Sequence, residues 1–332
     1  MNARRLCIAL GLTAVVLISQ GLTAQSTWTP PRTPDGHPDF QGVWVNNIAT
    51  PLERPEALAG RPTLTDKELA AMKKKAHEMF SGNGDAAFGD TVFNVVWANV
   101  TGTRSGFKSI DGETGDYSSV WTVERDWENR TSLIFDPPDG GMPAMTAEGK
   151  KRRDDMVAAM ARVPAGPEDR ALQERCITYG SPSLVAGYQS AYEIVQGANT
   201  VAFTMEMIHD TRVVSTDPHA HVGSPVRQWL GDSRGRWEGD TLVVDTTNYK
   251  SRSFMSRSSE QLHVTERFSL ASANTLRYEI TINDPGTWTK PWSLMIPLSR
   301  ADHPMWEYGC HEGNYGMAGI LTGARAEERA GR

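Results

Sequence analysis

The strongest constraint on the fold is a pair of alternating segments, residues 262–270 and 275–283, joined by a short turn near Ala271. In the second segment Leu276, Tyr278, Ile280 and Ile282 share one face of an extended chain, and Arg277, Glu279 and Thr281 share the other. A period of two marks a strand with one face buried. In the first segment Leu262, Val264, Glu266 and Phe268 alternate with His263, Thr265 and Arg267. Glu266 therefore falls on the apolar face. A buried carboxylate is costly unless paired, so Glu266 either meets a polar partner in a cavity or lies on a face that is only partly covered. A barrel with a polar-decorated interior accommodates it.

The rest of the chain reads in the same style. Strands are expected at 40–45, 91–98, 120–123, 131–135, 192–196, 201–208, 212–214, 241–247 and 292–298, with Gly, Pro and Asp clusters between them. Thr65 and Glu68 form a capping box, with Leu64 and Leu69 as its staple, and predict a helix from residue 66. A second helix is expected over 147–162, ending before Pro164. The fold class is mainly β: an antiparallel barrel or calycin-like sandwich with two or three peripheral helices. The expected division is a signal peptide at 1–24, an extended Pro-rich arm at 25–63 and a single β-rich domain at 64–332.

Arg4 and Arg5, the uncharged run 6–18 and the small Ala24 make the three-part pattern of a secretory signal, and the apolar run is too short for a membrane span. A periplasmic or secreted location is expected, with no membrane attachment after cleavage. Loss of the two arginines takes the formal charge from −6 to −8, which disfavours nucleic acid as a partner. Two cysteines remain, Cys176 and Cys310, and an oxidising compartment favours their bonding to each other. A metal or catalytic thiol beside His311 is the rival reading.

Several segments resemble a large family of uncharacterised exported bacterial proteins: PDGHPDFQGVW at 34–44, GRWEGDTLVV at 235–244 and CHEGNYG at 310–316. The resemblance spans nearly all of the chain after the signal and implies export. It brings no activity and no catalytic residue to carry over.

Candidate chemistry therefore comes from the residues. Glu206, His209, Asp210 and Arg212 gather carboxylates, an imidazole and a guanidinium at a strand end, where His209 would act as acid or base. His219 and His221 are spaced to share a metal, but Pro218 and Gly223 suggest a loop, and no metal ligand set is assigned. The disulfide would hold His311, Glu312 and Tyr315 beside Glu174 and Arg175. The 231–240 segment reads as a structured hairpin loop whose Asp232 and Arg234 could rim a pocket, and Arg234, Trp237 and Glu266 are substrate-binding candidates. No Walker loop, dinucleotide fingerprint or haem motif occurs, and no cofactor is assigned. Ten tryptophans suit an apolar ligand pocket as well as a core. Two functions follow. One is an exported small-molecule-processing enzyme using acid/base chemistry (hydrolysis, elimination or isomerisation) in a barrel pocket. The other is a non-catalytic periplasmic binding protein for a partly apolar or aromatic ligand. Convergence of His209, Glu206 and His311 on one solvent-reachable pocket would favour the first; a deep cavity lined by Trp and Met without paired titratable groups would favour the second.

Overall fold

In the computed structural model, residues 28–81, 89–106 and 124–331 are described. The expected signal peptide and the strand at 120–123 lie outside them. No helix among the described residues is long and apolar enough to cross a membrane.

Nine strands close into a barrel: β1 (Gly42–Val45), β3 (Ala191–Gln196), β4 (Thr200–Met205), β5 (Thr211–Ser215), β6 (Asp232–Glu238), β7 (Thr241–Thr247), β8 (His263–Ser272), β9 (Thr275–Asn283) and β10 (Trp292–Arg300). β1 completes the ring by pairing with both β3 and β10, and the short β2 (Ile134–Asp136) adds to β10. The expected β8–β9 hairpin is present, with Glu266 opposite Ile280. The barrel is mixed rather than purely antiparallel, because β5 and β6 run parallel through one pairing, Ser215 with Arg234. The long connection 216–231 between them permits this, since parallel neighbours need a crossover rather than a tight turn.

The structure changes three further expectations. Residues 91–98 form a helix, α2 (Thr91–Val100), despite their β-branched and aromatic composition. Phe93, Val96, Trp97 and Val100 lie at helical spacing, and they pack on Leu64, Met72 and Ala76 of the α1 (Asp66–Phe80) region in a separate small core. Tertiary packing overrides propensity here. Residues 232–238 are a strand rather than part of a hairpin loop; only Gly239-Asp240 turns. With α3 (Ala147–Met160) and α4 (Tyr315–Arg329) there are four α-helices among the described residues, not two or three. The α1 start is as expected: the Thr65 hydroxyl accepts from the Glu68 N–H at 3.3 Å, and the Glu68 carboxylate accepts from the Thr65 N–H at 2.8 Å.

The barrel interior is filled. Trp44, Ile194, Phe203, Val244, Phe268, Tyr278, Ile280 and Leu294 are buried there, and the Phe268 ring stacks on Tyr278 at 4.4 Å and on Phe203 at 4.7 Å. The cavity beside Arg212 measures about 10 Å³, room for one water at most. A ligand of any size must sit elsewhere.

Candidate functional site

The strand registers bring one set of ends together: the starts of β3, β5, β6, β8 and β10 and the ends of β4, β7 and β9. Three connections meet at this mouth: the approach to β3, the β4–β5 turn and the β7–β8 loop. From them Tyr179, Pro182, Leu184, Tyr188, Met207, Phe254 and Met255 line a pocket of about 480 Å³. The volume is in the range of small-molecule sites, and the lining is apolar and aromatic with few polar atoms.

The same connections carry unusual backbone. Eight non-glycine residues among those described have positive φ: Cys176, Gln189, Ile208, His209, Asn248, Arg252, Met255 and Ser256. All eight lie in these three connections. A β-branched residue such as Ile208 at φ 64° is a true outlier. Strain of this kind persists only where the surroundings fix it, and it concentrates at binding and catalytic regions. One of them, Met255, lines the pocket, and Met207, also in the lining, directly precedes Ile208.

The disulfide forms, Cys176 to Cys310 with Cα atoms 5.9 Å apart. It ties the approach to β3 to the chain after β10. Asn314 adds a bond from its Nδ2 to the Glu174 carbonyl at 2.9 Å and caps α4 by accepting from the Met317 N–H. His311, Glu312 and Tyr315 near this link are exposed, Tyr315 at 82%.

The cluster at 206–212 is divided by the fold. β4 ends at Met205 and a short 3-10 turn, Met207–His209, follows. Glu206 Oε2 accepts from the Ala191 N–H at 3.2 Å. His209 Nε2 accepts from the Tyr308 N–H at 2.9 Å. Asp210 accepts from the Thr178 hydroxyl at 2.6 Å and the Tyr179 N–H at 3.1 Å. No side-chain hydrogen bond joins these residues to one another among the described residues. Burial raises the Glu206 and Asp210 carboxyls above their ordinary range, and hydrogen bonds from Ala191, Thr178 and Tyr179 offset part of the rise.

Arg212 points the other way, into the barrel. It forms a two-toothed ion pair with Glu266, whose Oε1 also accepts from the Tyr278 hydroxyl at 2.5 Å. Ser233 and Thr246 take the remaining Arg212 contacts. Both ions are buried, Glu266 completely. The polar partner expected for Glu266 is therefore Arg212, and neither side chain is placed to hold a ligand at the mouth. Trp237 is likewise engaged, stacked on His37 at 4.4 Å and packed against Phe40.

Sequence reasoning named His221 and Arg234 separately but missed Asp245, His263 and the second polar cluster they all form on the outer wall. Asp232, Arg234, Asp245 and His263 alternate outward from β6, β7 and β8, and the 216–231 connection lays His221 over them. Arg234 pairs with Asp232 at 2.9 Å. Asp232 meets His221 Nδ1 at 2.9 Å, and Asp245 meets His221 Nε2 at 3.0 Å. The other Asp245 oxygen meets His263 Nε2 at 2.5 Å. The groups form a chain rather than converging on a point, and no three His, Cys, Asp or Glu side chains among the described residues are arranged to hold a metal ion. The outward alternation of His263 on a predicted strand was the available signal.

No protein-family model, curated protein or solved structure matches the chain.

Proposed function

We propose that this chain binds a small, partly apolar or aromatic molecule in the pocket at the barrel mouth, in a periplasmic or secreted setting. The observation that carries this reading is that the pocket is built mainly from the three connections that hold the eight strained residues, one of which, Met255, lines it. The pocket's lining supplies aromatic and thioether surface for stacking and dispersion contacts, with the exposed Tyr179 at one side for a polar group. Among the described residues its lining holds no paired acid and base, which favours binding over the His209-centred catalysis considered from the sequence. The Cys176–Cys310 bond supports an oxidising compartment.

A thermal-shift screen with aromatic and amphipathic metabolites tests this reading. A ligand at about 100 times its Kd adds roughly 2.7 kcal/mol, a shift of about 5 °C or more for a domain of this size. Leu184→Trp, which fills the pocket, should abolish the shift while leaving the unliganded melting point nearly unchanged. A shift that survives Leu184→Trp would place the ligand elsewhere.

A further inference from the structure

The outer-wall chain of groups has a direction. It starts at Arg234, which is held by Asp232 and by the carbonyls of Ser233 and Ala220. It passes through Asp232, His221 and Asp245, and it ends at His263. Every member but the last has a described polar partner on both sides. His263 gives Nε2 to Asp245, and no described residue bonds its Nδ1. Its side chain is 41% exposed. A carboxylate that accepts from Nε2–H fixes the tautomer and leaves the Nδ1 lone pair available, which is the arrangement of an oriented general base.

The wall beside His263 is hydroxylated. Strand register sets Asp245 opposite Thr265, Thr265 opposite Thr281, and Thr281 opposite Ser293, a row across β7 to β10. His263 itself faces Asn283, which is exposed. Directly opposed side chains on one face have Cβ atoms roughly 4.5–5.5 Å apart. On the same face Arg267 pairs with Glu238 and Arg277 pairs with Glu279. The surface next to the His263 Nδ1 thus offers hydroxyl and amide groups, with its described arginine and glutamate neighbours engaged in ion pairs.

We propose that this wall is a proton-transfer site, where His263 Nδ1 takes a proton from a neutral, polyhydroxylated carbonyl compound of the reducing-sugar class. Asp245, His221 and Asp232 are positioning residues. In the step, the C–H bond beside the carbonyl breaks and its electron pair enters an enediol(ate). The proton forms the Nδ1–H bond of an imidazolium that Asp245 stabilises. With transfer of the hydroxyl proton from one enediolate oxygen to the other, return of the abstracted proton to the neighbouring carbon completes an isomerisation, and its return to the original carbon after exchange with solvent gives deuterium wash-in; neither needs a co-reactant. The Asp245 contact also raises the affinity of His263 for a proton, its hydrogen bond outweighing the effect of burial. This inference does not rest on the mouth pocket.

The test is deuterium wash-in. Full-length mature protein is incubated in D₂O with a panel of aldoses and ketoses, and loss of the proton signal beside the carbonyl is followed by NMR. The expected result is protein-dependent exchange for at least one sugar, reduced by 10²–10⁴-fold in His263→Gln, the range for loss of a general base. Asp245→Asn should reduce the rate and shift the pH profile to lower pH, a change that a purely structural role would not produce. Absence of exchange above the buffer rate across the panel, or exchange that survives His263→Gln in a folded variant, would overturn the proposal.

Discussion

Arg212 reaches from β5 across the barrel interior to meet Glu266 on β8, and both oxygens of that carboxylate contact the guanidinium. The pair sits between layers of aromatic rings: the Phe203 ring centre lies 5.4 Å from the guanidinium carbon, and the Tyr278 hydroxyl bonds Glu266. Breaking one side leaves an uncompensated buried charge. Glu266→Ala or Arg212→Ala should therefore lower stability by about 3–5 kcal/mol. The double variant Arg212→Met/Glu266→Leu should recover most of that loss. Urea denaturation of the four proteins checks this, and a double variant as unstable as the sum of the singles would contradict it.

The disulfide spans 134 residues of sequence. The chain-entropy view gives roughly 4–5 kcal/mol for so long a loop, and measured values for native bonds fall at about 2–5 kcal/mol. Cys176→Ala/Cys310→Ala should lose that amount in chemical denaturation. Reduction of the native protein should produce the same loss.

Asp245 and His263 hold each other's charged forms. The His263 hydrogen bond lowers Asp245, against the opposing effect of burial, and Asp245 raises His263. The His263 contribution is full below the ordinary imidazole value and is lost as pH rises through its raised folded value. The Asp245 contribution is present above the ordinary carboxyl value and is lost as pH falls through its lowered folded value. NMR titration should find His263 titrating above 6.5, and Asp245→Asn should return it toward that value.

Glu206 behaves in the opposite sense. Burial raises its carboxyl, so the protonated form suits the folded state and ionisation costs stability as pH rises through the folded value. Glu206→Gln keeps an oxygen for the Ala191 N–H and carries no charge. Melting curves should show it gaining on the parent between pH 4 and pH 8; a difference that does not change with pH would rule out this account.

The strands were legible where one face is buried. β7, β8 and β9 alternate cleanly, and the turn at Gly239-Asp240 fixes where β7 begins. α2 was misread because Val92, Val95 and Val96 suit a strand locally, and only the spacing of Phe93, Val96, Trp97 and Val100 points to the α1 contact. β6 was hidden by Gly235 and four charged residues, since its outward side chains pair with one another instead of marking an amphipathic pattern. α4 contains Gly316, Gly319 and Gly323, which weaken any helix signal. Site residues divided along the same line. Neighbours in sequence, such as Glu206 to Arg212, were grouped easily but go to different partners. His221, Asp245 and His263 meet only because the barrel register and the 216–231 connection bring them together.

The closing strand of the barrel has a further consequence. β1 is four residues long, yet it alone joins β3 to β10, with Trp44 opposite both Tyr192 and Arg300 and the Arg300 guanidinium 4.2 Å above its ring. A chain emerging from its N-terminus makes this strand first and can seat it last, once residue 300 is available. Until then the two edges it will cover stand open, and open edges recruit other chains. Contacts between such distant parts of a sequence also form slowly. The protein's most vulnerable interval is therefore temporal, the period in which Trp44 has been synthesised and its partner strand has not.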